Sequence, residues 1–417
     1  MKEVNTEDKW PMASPLLFIC AASLLLASAS PLPPSPRELA SPWVSTWEAA
    51  PQLTEVANNP PAPLAGTAVR QVLRATAGGS SLRVQFGNVF GGGPVQVLAA
   101  HIALSAAAAG EPVDSRIVPA TDAPLTFNGG APGATIAAGA SLWSDALDFA
   151  VAPLANLAIT TAFGAASLNV SGHPGSRTTS YQQPGADVSA PAMPAAATAA
   201  HWWIVSGVDV AGGPALRAAV MLGDSITDGR GSTTDGNDRW PDVLAARMLA
   251  TNASSPVRNV SVVNAGIGGN AITGGGLGPT ALARFARDVL NQSGAAFVVI
   301  FEGVNDIGAG VGAPAITAAL DALRDSATAA EVWAIGATIT PFGASFYYSP
   351  QREITRQAVN AHIRGGAFRA YVDFDAVLTD GGVPPKLRPE FDSGDGLHPN
   401  PAGYRALADS IDLALFE

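Results

Sequence analysis

Cysteine is almost absent from this chain. Among 417 residues the single cysteine is Cys20, inside an apolar stretch near the N-terminus. If that stretch is removed, the mature chain has no cysteine, which excludes disulfides and thiolate metal sites. Charge is also scarce, at 14% of residues, and the formal net charge is -11. No basic residues cluster, which disfavours nucleic acid and anionic membrane as partners. The acidity speaks to solubility and names no function. The apolar run from Leu16 to Leu26 is too short to span a bilayer comfortably. No internal repeat stands out.

What the N-terminus does contain is a targeting pattern. Lys2 and Lys9 precede the apolar run, and Ala27-Ser28-Ala29 offers a small-residue cleavage site. Glu3, Glu7 and Asp8 offset the lysines, and a retained anchor is the competing reading. The expectation is a signal peptide over residues 1–29, a secreted protein, and no stable membrane insertion after cleavage. Residues 30–42, with Pro31, Pro33, Pro34 and Pro36, read as a linker. Asn-X-Ser sequons begin at Asn169, Asn252, Asn259 and Asn291, and bear glycans only in a host that glycosylates this way.

Glycine and proline are abundant, 44 and 33 residues, and they punctuate residues 43–198 into short strand-like runs. Leu82, Val84 and Phe86 alternate with Arg83 and Gln85, as in a half-buried strand. Gly91-Gly92-Gly93-Pro94 and Asn128-Gly129-Gly130 separate such runs. The pattern predicts an all-β, sandwich-like accessory domain. No catalytic cluster is visible in it. Trp202-Trp203 reads as packing, and Trp202 to Val210 as a strand or junction.

Over residues 199–417 the period changes. Val220–Leu222, Val260–Val263, Phe297–Phe301, Val332–Ala337 and Tyr371–Phe374 read as strands. Helical patterns lie between them: Asp238–Leu249, Thr280–Leu290, Ala315–Ala329 and Gln351–Ile363. A last helix follows Asn400, a plausible N-cap, with Pro401 at its first position. Strand and helix in alternation predict an α/β fold, a parallel sheet covered by helices on both faces.

Four stretches in this half carry chemistry. Gly223-Asp224-Ser225 ends the first strand. Asn264 to Asn270 follows the second, Glu302-Gly303-Val304-Asn305-Asp306 the third, and Asp395-Gly396-Leu397-His398 precedes the last helix. The sheet brings the first three to one edge, where open α/β sheets bind ligands. Ser225 is a nucleophile if a base takes its proton. His398 is the candidate base and Asp395, three residues earlier, can orient it. The Ser225 and Gly269 N–H groups and the Asn305 amide are candidate oxyanion donors. Each piece has a plainer reading. Gly-Asp-Ser suits an ordinary turn, a lone histidine is commonly structural, and Asn305-Asp306 suits a helix cap. Gly266 to Ala271 also fits a dinucleotide fingerprint, although Thr273-Gly274-Gly275-Gly276 interrupts any helix that would follow.

Taken jointly and in this order, the four stretches resemble the SGNH hydrolases, the GDSL esterase/lipase superfamily, over about residues 216–417. The resemblance implies a flavodoxin-like sheet between helices. It implies Ser225 as nucleophile, Asp395 and His398 as its partners, Gly269 and Asn305 as oxyanion donors, and no metal or organic cofactor. Thr227 stands where G-x-S-x-G needs glycine, which disfavours an ordinary α/β-hydrolase. Trp43 to Pro51, Asn88-Val89-Phe90-Gly91 and Arg239-Trp240-Pro241 are similar to a secreted two-domain subgroup of acylhydrolases and arylesterases associated with xylan degradation. That implies an ester on plant-polymer carbohydrate, an acylated polysaccharide, as substrate. A non-catalytic glycan- or wall-binding protein on a hydrolase fold is the alternative, and acyl transfer to a sugar a third. Phe342, Phe346, Tyr347 and Tyr348 form a candidate wall of the acyl pocket or else pack their own loop. For the β-rich half, the expected role is to brace the catalytic half. Oligomeric state is not legible.

Overall fold

The computed structural model describes residues 43–107 and 114–417. The proposed signal and linker, residues 1–42 with Cys20, lie outside them. Residues 217–372 supply five parallel strands: Arg217–Gly223, Val260–Gly266, Ala295–Phe301, Trp333–Ala337 and Ala370–Val372. Across the sheet they run second, first, third, fourth, fifth. This is the flavodoxin-like order, and it reverses beside the first strand. Val220, Leu222, Val298 and Ile300 are fully buried on one face, and Met221, Val299 and Ile335 on the other. Both faces are covered, which is why these strands read as continuous apolar runs.

The helices fall close to their expected places. Trp240–Leu249 and Pro401–Ser410 pack on one face, and Ala313–Ala329 and Pro350–His362 on the other. Asn400 caps the last helix as expected, its side chain accepting from Gly403 N at 3.0 Å. Two expectations shift. The helix read over Thr280–Leu290 is α-helical only from Ala281 to Phe285 and then widens into a π-turn. Phe374 starts a short helix, Phe374–Leu378, and does not end a strand. No helix follows the glycine-rich loop until Ala281, so the dinucleotide reading fails on geometry.

The β-rich half is a pair of antiparallel sheets around one apolar core. One sheet runs through Trp43–Glu48, Val205–Ala211 and Gly79–Gly87. The other runs through Ser180–Pro184, Thr67–Arg74, Asn156–Phe163 and Val95–Leu104. Leu82, Val84 and Phe86 of the first sheet meet Val69, Ile102 and Ile159 of the second. Trp202 and Trp203 are buried in that core, Trp202 edge-on to Trp47 at 4.9 Å. A small third sheet joins Trp202–Trp203, Ser171–His173 and Gln52–Leu53. It matters because His173 and Gln52 reach the candidate site.

The described residues lie in one compact unit, and the two halves are joined by hydrogen bonds. Val260–Gly266 is an edge strand, with backbone groups that need covering. Val262 N donates to Thr76 Oγ1 at 3.1 Å, and Ser261 Oγ donates to the Ser45 carbonyl at 2.6 Å. Ser45 N in turn donates to the Ser293 carbonyl at 2.8 Å. The first β-strand of the β-rich half thus seals the open side of the parallel sheet. No helix among the described residues is long and apolar enough to cross a membrane. All four sequon asparagines are solvent-exposed.

Candidate active site

The first strand ends at Gly223, and the chain turns at once into the short helix Ser225–Asp228. A Cβ at Gly223 would lie 2.0 Å from Thr227 Oγ1, so only glycine permits this turn. Asp224 caps the helix, its carboxylate accepting from Ile226 N at 2.9 Å. Burial pushes the Asp224 carboxyl up to about 7.

Ser225, His398 and Asp395 form one hydrogen-bonded series. Ser225 Oγ lies 2.7 Å from His398 Nε2, and His398 Nδ1 lies 2.7 Å from Asp395 Oδ2. With Asp395 accepting from Nδ1–H, Nε2 is left to accept the serine proton. The Asp395 carboxylate also takes the backbone N–H groups of Leu397 and His398, at 3.0 and 2.8 Å. Burial pushes this carboxyl up, but the bonds from His398 and Leu397 outweigh it and hold it below its usual range. For His398 burial wins: it lowers the imidazole below its usual 6.5, although Asp395 pulls the other way. The base is therefore neutral, and ready to accept a proton, at neutral pH.

The candidate oxyanion donors are placed as specifically. Among the described residues the Ser225 and Gly269 N–H groups have no hydrogen-bond partner. Gly269 has φ +73°, which turns that N–H without side-chain strain. Asn305 starts the turn after the third strand, in the short helix Val304–Gly308. Its Nδ2 donates one hydrogen to the Asn270 carbonyl at 2.7 Å. Its Oδ1 accepts from Tyr347 O–H at 2.8 Å. The Asn270 carbonyl, which can only accept, fixes which end of the amide is the nitrogen; the tyrosine holds the oxygen end, and one N–H is left to donate. Asp306 pins the glycine-rich loop from below, accepting from Ile272 N, Thr273 N and Thr273 Oγ1 at 2.8, 2.9 and 2.6 Å.

Ser225, Gly269, Asn305, Asp395 and His398 all line one cleft of about 600 Å³. The loop of aromatics divides. Phe342 is buried in the core and Tyr348 packs against it, while Phe346 and Tyr347 line the cleft. Phe346 is 80% exposed. Among the described residues no group of histidine, aspartate and glutamate side chains is arranged to hold a metal ion.

Three functional features escaped the sequence. Arg284 is the first. It is fully buried and uses all five guanidinium N–H groups. Nε meets Asn270 Oδ1 at 2.9 Å; Nη1 meets the Ala265 carbonyl at 2.6 Å and Asp288 at 3.2 Å; Nη2 meets the Gly223 carbonyl at 3.0 Å and Glu302 at 3.2 Å. It ties together the ends of the first three strands. The second is His173 of the β-rich half, whose Nε2 lies 2.8 Å from Asp228 Oδ1 and whose Nδ1 bonds the Ala50 carbonyl at 3.0 Å. Asp228 belongs to the helix that begins with Ser225. The third is the cleft wall from the β-rich half, which includes Gln52, Glu55, Asn58, Arg177 and His201. No spacing in the sequence marks any of these, because each acts across more than a single motif.

Residues 221–406 match the model of the GDSL-like Lipase/Acylhydrolase family. Solved structures similar to the chain include a GDSL-like lipase from Bacteroides thetaiotaomicron, at 24% identity over 48% of this chain and 88% of that one, with a TM-score of 0.36. They also include the acetylxylan esterase Axe2 from Geobacillus stearothermophilus, at 23% identity over 46% of this chain and 91% of that one, TM-score 0.37. A lipolytic protein of the G-D-S-L family from Veillonella parvula shares 17% identity over 46% and 95%, TM-score 0.35. None of the curated proteins compared with the chain matches it.

Tyr347→Phe should release the Asn305 amide while leaving the aromatic ring in place. The expected result is a fall in kcat of about 10-fold with little change in KM, since a transition-state donor loses its orientation. Steady-state kinetics on one soluble ester would check it; an unchanged kcat would show that Asn305 needs no such lock.

Proposed function

We propose that the protein is a serine esterase that cleaves carboxylic esters through Ser225, His398 and Asp395. The observation that carries the reading is the 2.7 Å and 2.7 Å series from Ser225 Oγ through His398 to Asp395, set beside three donors that are free to bind an oxyanion. Ser225 Oγ attacks the ester carbonyl carbon as His398 Nε2 takes its proton. The Ser225 and Gly269 N–H groups and the Asn305 amide bind the tetrahedral oxyanion. His398 returns the proton to the departing alcohol and leaves an acyl-serine. It then takes a proton from water, which attacks the acyl carbon and frees the carboxylic acid and Ser225. Asp395 holds the imidazole in the required tautomer throughout.

The cleft supports a polar alcohol moiety. Gln52, Asn58, Arg177, His201 and Arg230 line it, and the large apolar side chains in it are few, Leu277 and Phe346 among them. A long acyl chain would find little apolar wall, whereas a hydroxyl-rich alcohol would find partners. An acylated plant polysaccharide is the substrate class proposed from the sequence resemblance, with export on the strength of residues 1–29.

The test is initial-rate hydrolysis of p-nitrophenyl esters from acetate to palmitate, with acetate release from acetylated xylan in parallel. Short-chain preference with acetate release is expected. Palmitate preference would overturn the short-acyl, polar-alcohol reading, and hydrolysis of none of them would favour a binding protein on a hydrolase fold.

The pH profile follows from His398. Its protonated form is inactive, and its lowered basicity keeps the neutral form populated below the ordinary range. The acidic limb of kcat/KM on a neutral ester should therefore have its midpoint below 6.5 and be flat above it. A midpoint above 7 would contradict this placement of the base.

A further inference from the structure

The fully buried arginines among the described residues all have hydrogen-bond partners for Nε and for both terminal nitrogens. Arg70 bonds Thr160 and the carbonyls of Ser115 and Ala190. Arg284 makes its five bonds, and Arg356 bonds Glu353, Asp375 and the Ile339 carbonyl. Arg177, which is half-buried, differs; Arg74 shares with it a buried Nε without a partner, but only Arg177 stands in the cleft. It lines the cleft with Ser225 and His398. Its Nε is buried and has no hydrogen-bond partner, and no carboxylate pairs with its guanidinium among the described residues. Burying a donor without a partner is costly, so such a group in a cleft reads as one awaiting a ligand.

The backbone holds Arg177 in place. Its φ is +51°, a left-handed conformation that costs a side-chain-bearing residue energy and clusters at functional sites. The loop is clamped from the α/β half by Asp235. Asp235 N donates to the Arg177 carbonyl at 2.8 Å, and its carboxylate takes Thr179 N and Thr179 Oγ1, both at 2.7 Å. A second guanidinium stands in the same cleft. Arg230 is 62% exposed, and its Nε lies 3.9 Å from Asp395 Oδ2, beyond hydrogen-bond distance. Both positive charges act on the His398 ring and lower its basicity, which places them within electrostatic reach of the reacting centre.

The negative groups of the cleft are already engaged. Asp395 serves His398, and Asp228 meets His173. Glu55 takes Gln52 Nε2 at 2.6 Å and Asn58 Nδ2 at 3.1 Å. Among the described residues Arg177 is left without a carboxylate partner beside the nucleophile, and Arg230 has only its long contact with Asp395. We propose that Arg177, with Arg230 as its mobile partner, forms a subsite for a carboxylate on the substrate, so that the preferred esters carry an acidic group near the scissile bond, as an acetylated uronic-acid residue does. The proposal rests on the serine-esterase reading. A planar carboxylate matches the donor fork of a guanidinium, and the pairing orients as well as attracts.

The experiment compares 4-acetoxybenzoate with its neutral isostere, methyl 4-acetoxybenzoate, in wild type, Arg177→Gln, Arg177→Lys and Arg230→Gln. Arg177→Gln should shift the ratio of the two kcat/KM values about 10- to 100-fold against the carboxylate, mainly through KM. Arg177→Lys should restore part of the ratio. Arg230→Gln, at an exposed position whose ion pair is the long 3.9 Å contact with Asp395, should move the ratio the same way by a smaller factor. Added salt should erode the wild-type preference for the carboxylate and leave the methyl ester unaffected. Equal losses on both substrates, or no change of ratio in either glutamine variant, would overturn the subsite while leaving the esterase reading intact. Hydrolysis of neither substrate by wild type would overturn the esterase reading and the subsite with it.

Discussion

Ser225→Ala should lower kcat for ester hydrolysis by roughly 10⁴- to 10⁶-fold, with the fold and thermal midpoint unchanged. The size follows from chemistry: without Oγ no acyl-enzyme forms, and the remaining rate is what the oxyanion donors supply to attack by water. The structural neutrality follows from packing, because among the described residues the Ser225 hydroxyl bonds only His398. His398→Ala should cost about as much, since the hydroxyl then has no base. The double variant should be no slower than either single one, because the two groups act as a unit and their effects do not add. Additive losses would mean that the two residues act separately and would break the series described here.

Arg284→Met should destabilise the fold by about 3–5 kcal/mol, the usual consequence of removing one partner from a buried ionic cluster. Glu302 would suffer most. Burial, then the nearby Asp224 charge, already pushes its carboxyl well above the usual range, and Arg284 is the cation that opposes this. Asp288 would retain Arg287, which also bonds it. The Gly223 and Ala265 carbonyls would each lose a buried donor. Arg284→Lys keeps the charge but has at most three N–H groups against five, so it should lose less stability and still lose activity as the strand ends loosen. Urea melts of both variants, with kinetics on the lysine variant, would decide. A melt of Arg284→Met within 1 kcal/mol of wild type would contradict the role given to this cluster.

The sequence disclosed the α/β half well, because its information is local. The period change at residue 218 and the four short stretches each sit within a few residues, and the parallel sheet collects them. Asn400 and Pro401 marked a helix start through capping chemistry alone. The Trp202-Trp203 pair was legible as packing for the same reason. What stayed hidden is non-local. Arg284 joins partners from Gly223 to Glu302, and nothing near it in sequence signals a hub. His173 reaches Asp228 across 55 residues, and Arg177 enters the cleft from the half in which no catalytic cluster is visible. The β-rich half therefore does more than brace: it seals the edge strand through Thr76 and Ser45, ties the serine-bearing helix through His173, and walls the cleft. Tyr347 was legible as a wall residue but not as the lock on Asn305, since an amide's orientation is a property of its neighbours.

The most direct test of the central claim is mass-spectrometric mapping of the adduct left by a fluorophosphonate probe. The account predicts one phosphonyl group per wild-type chain, on Ser225, and no adduct when His398 is replaced by alanine. An adduct on another serine, or ester hydrolysis that continues while Ser225 remains unlabelled, would contradict it.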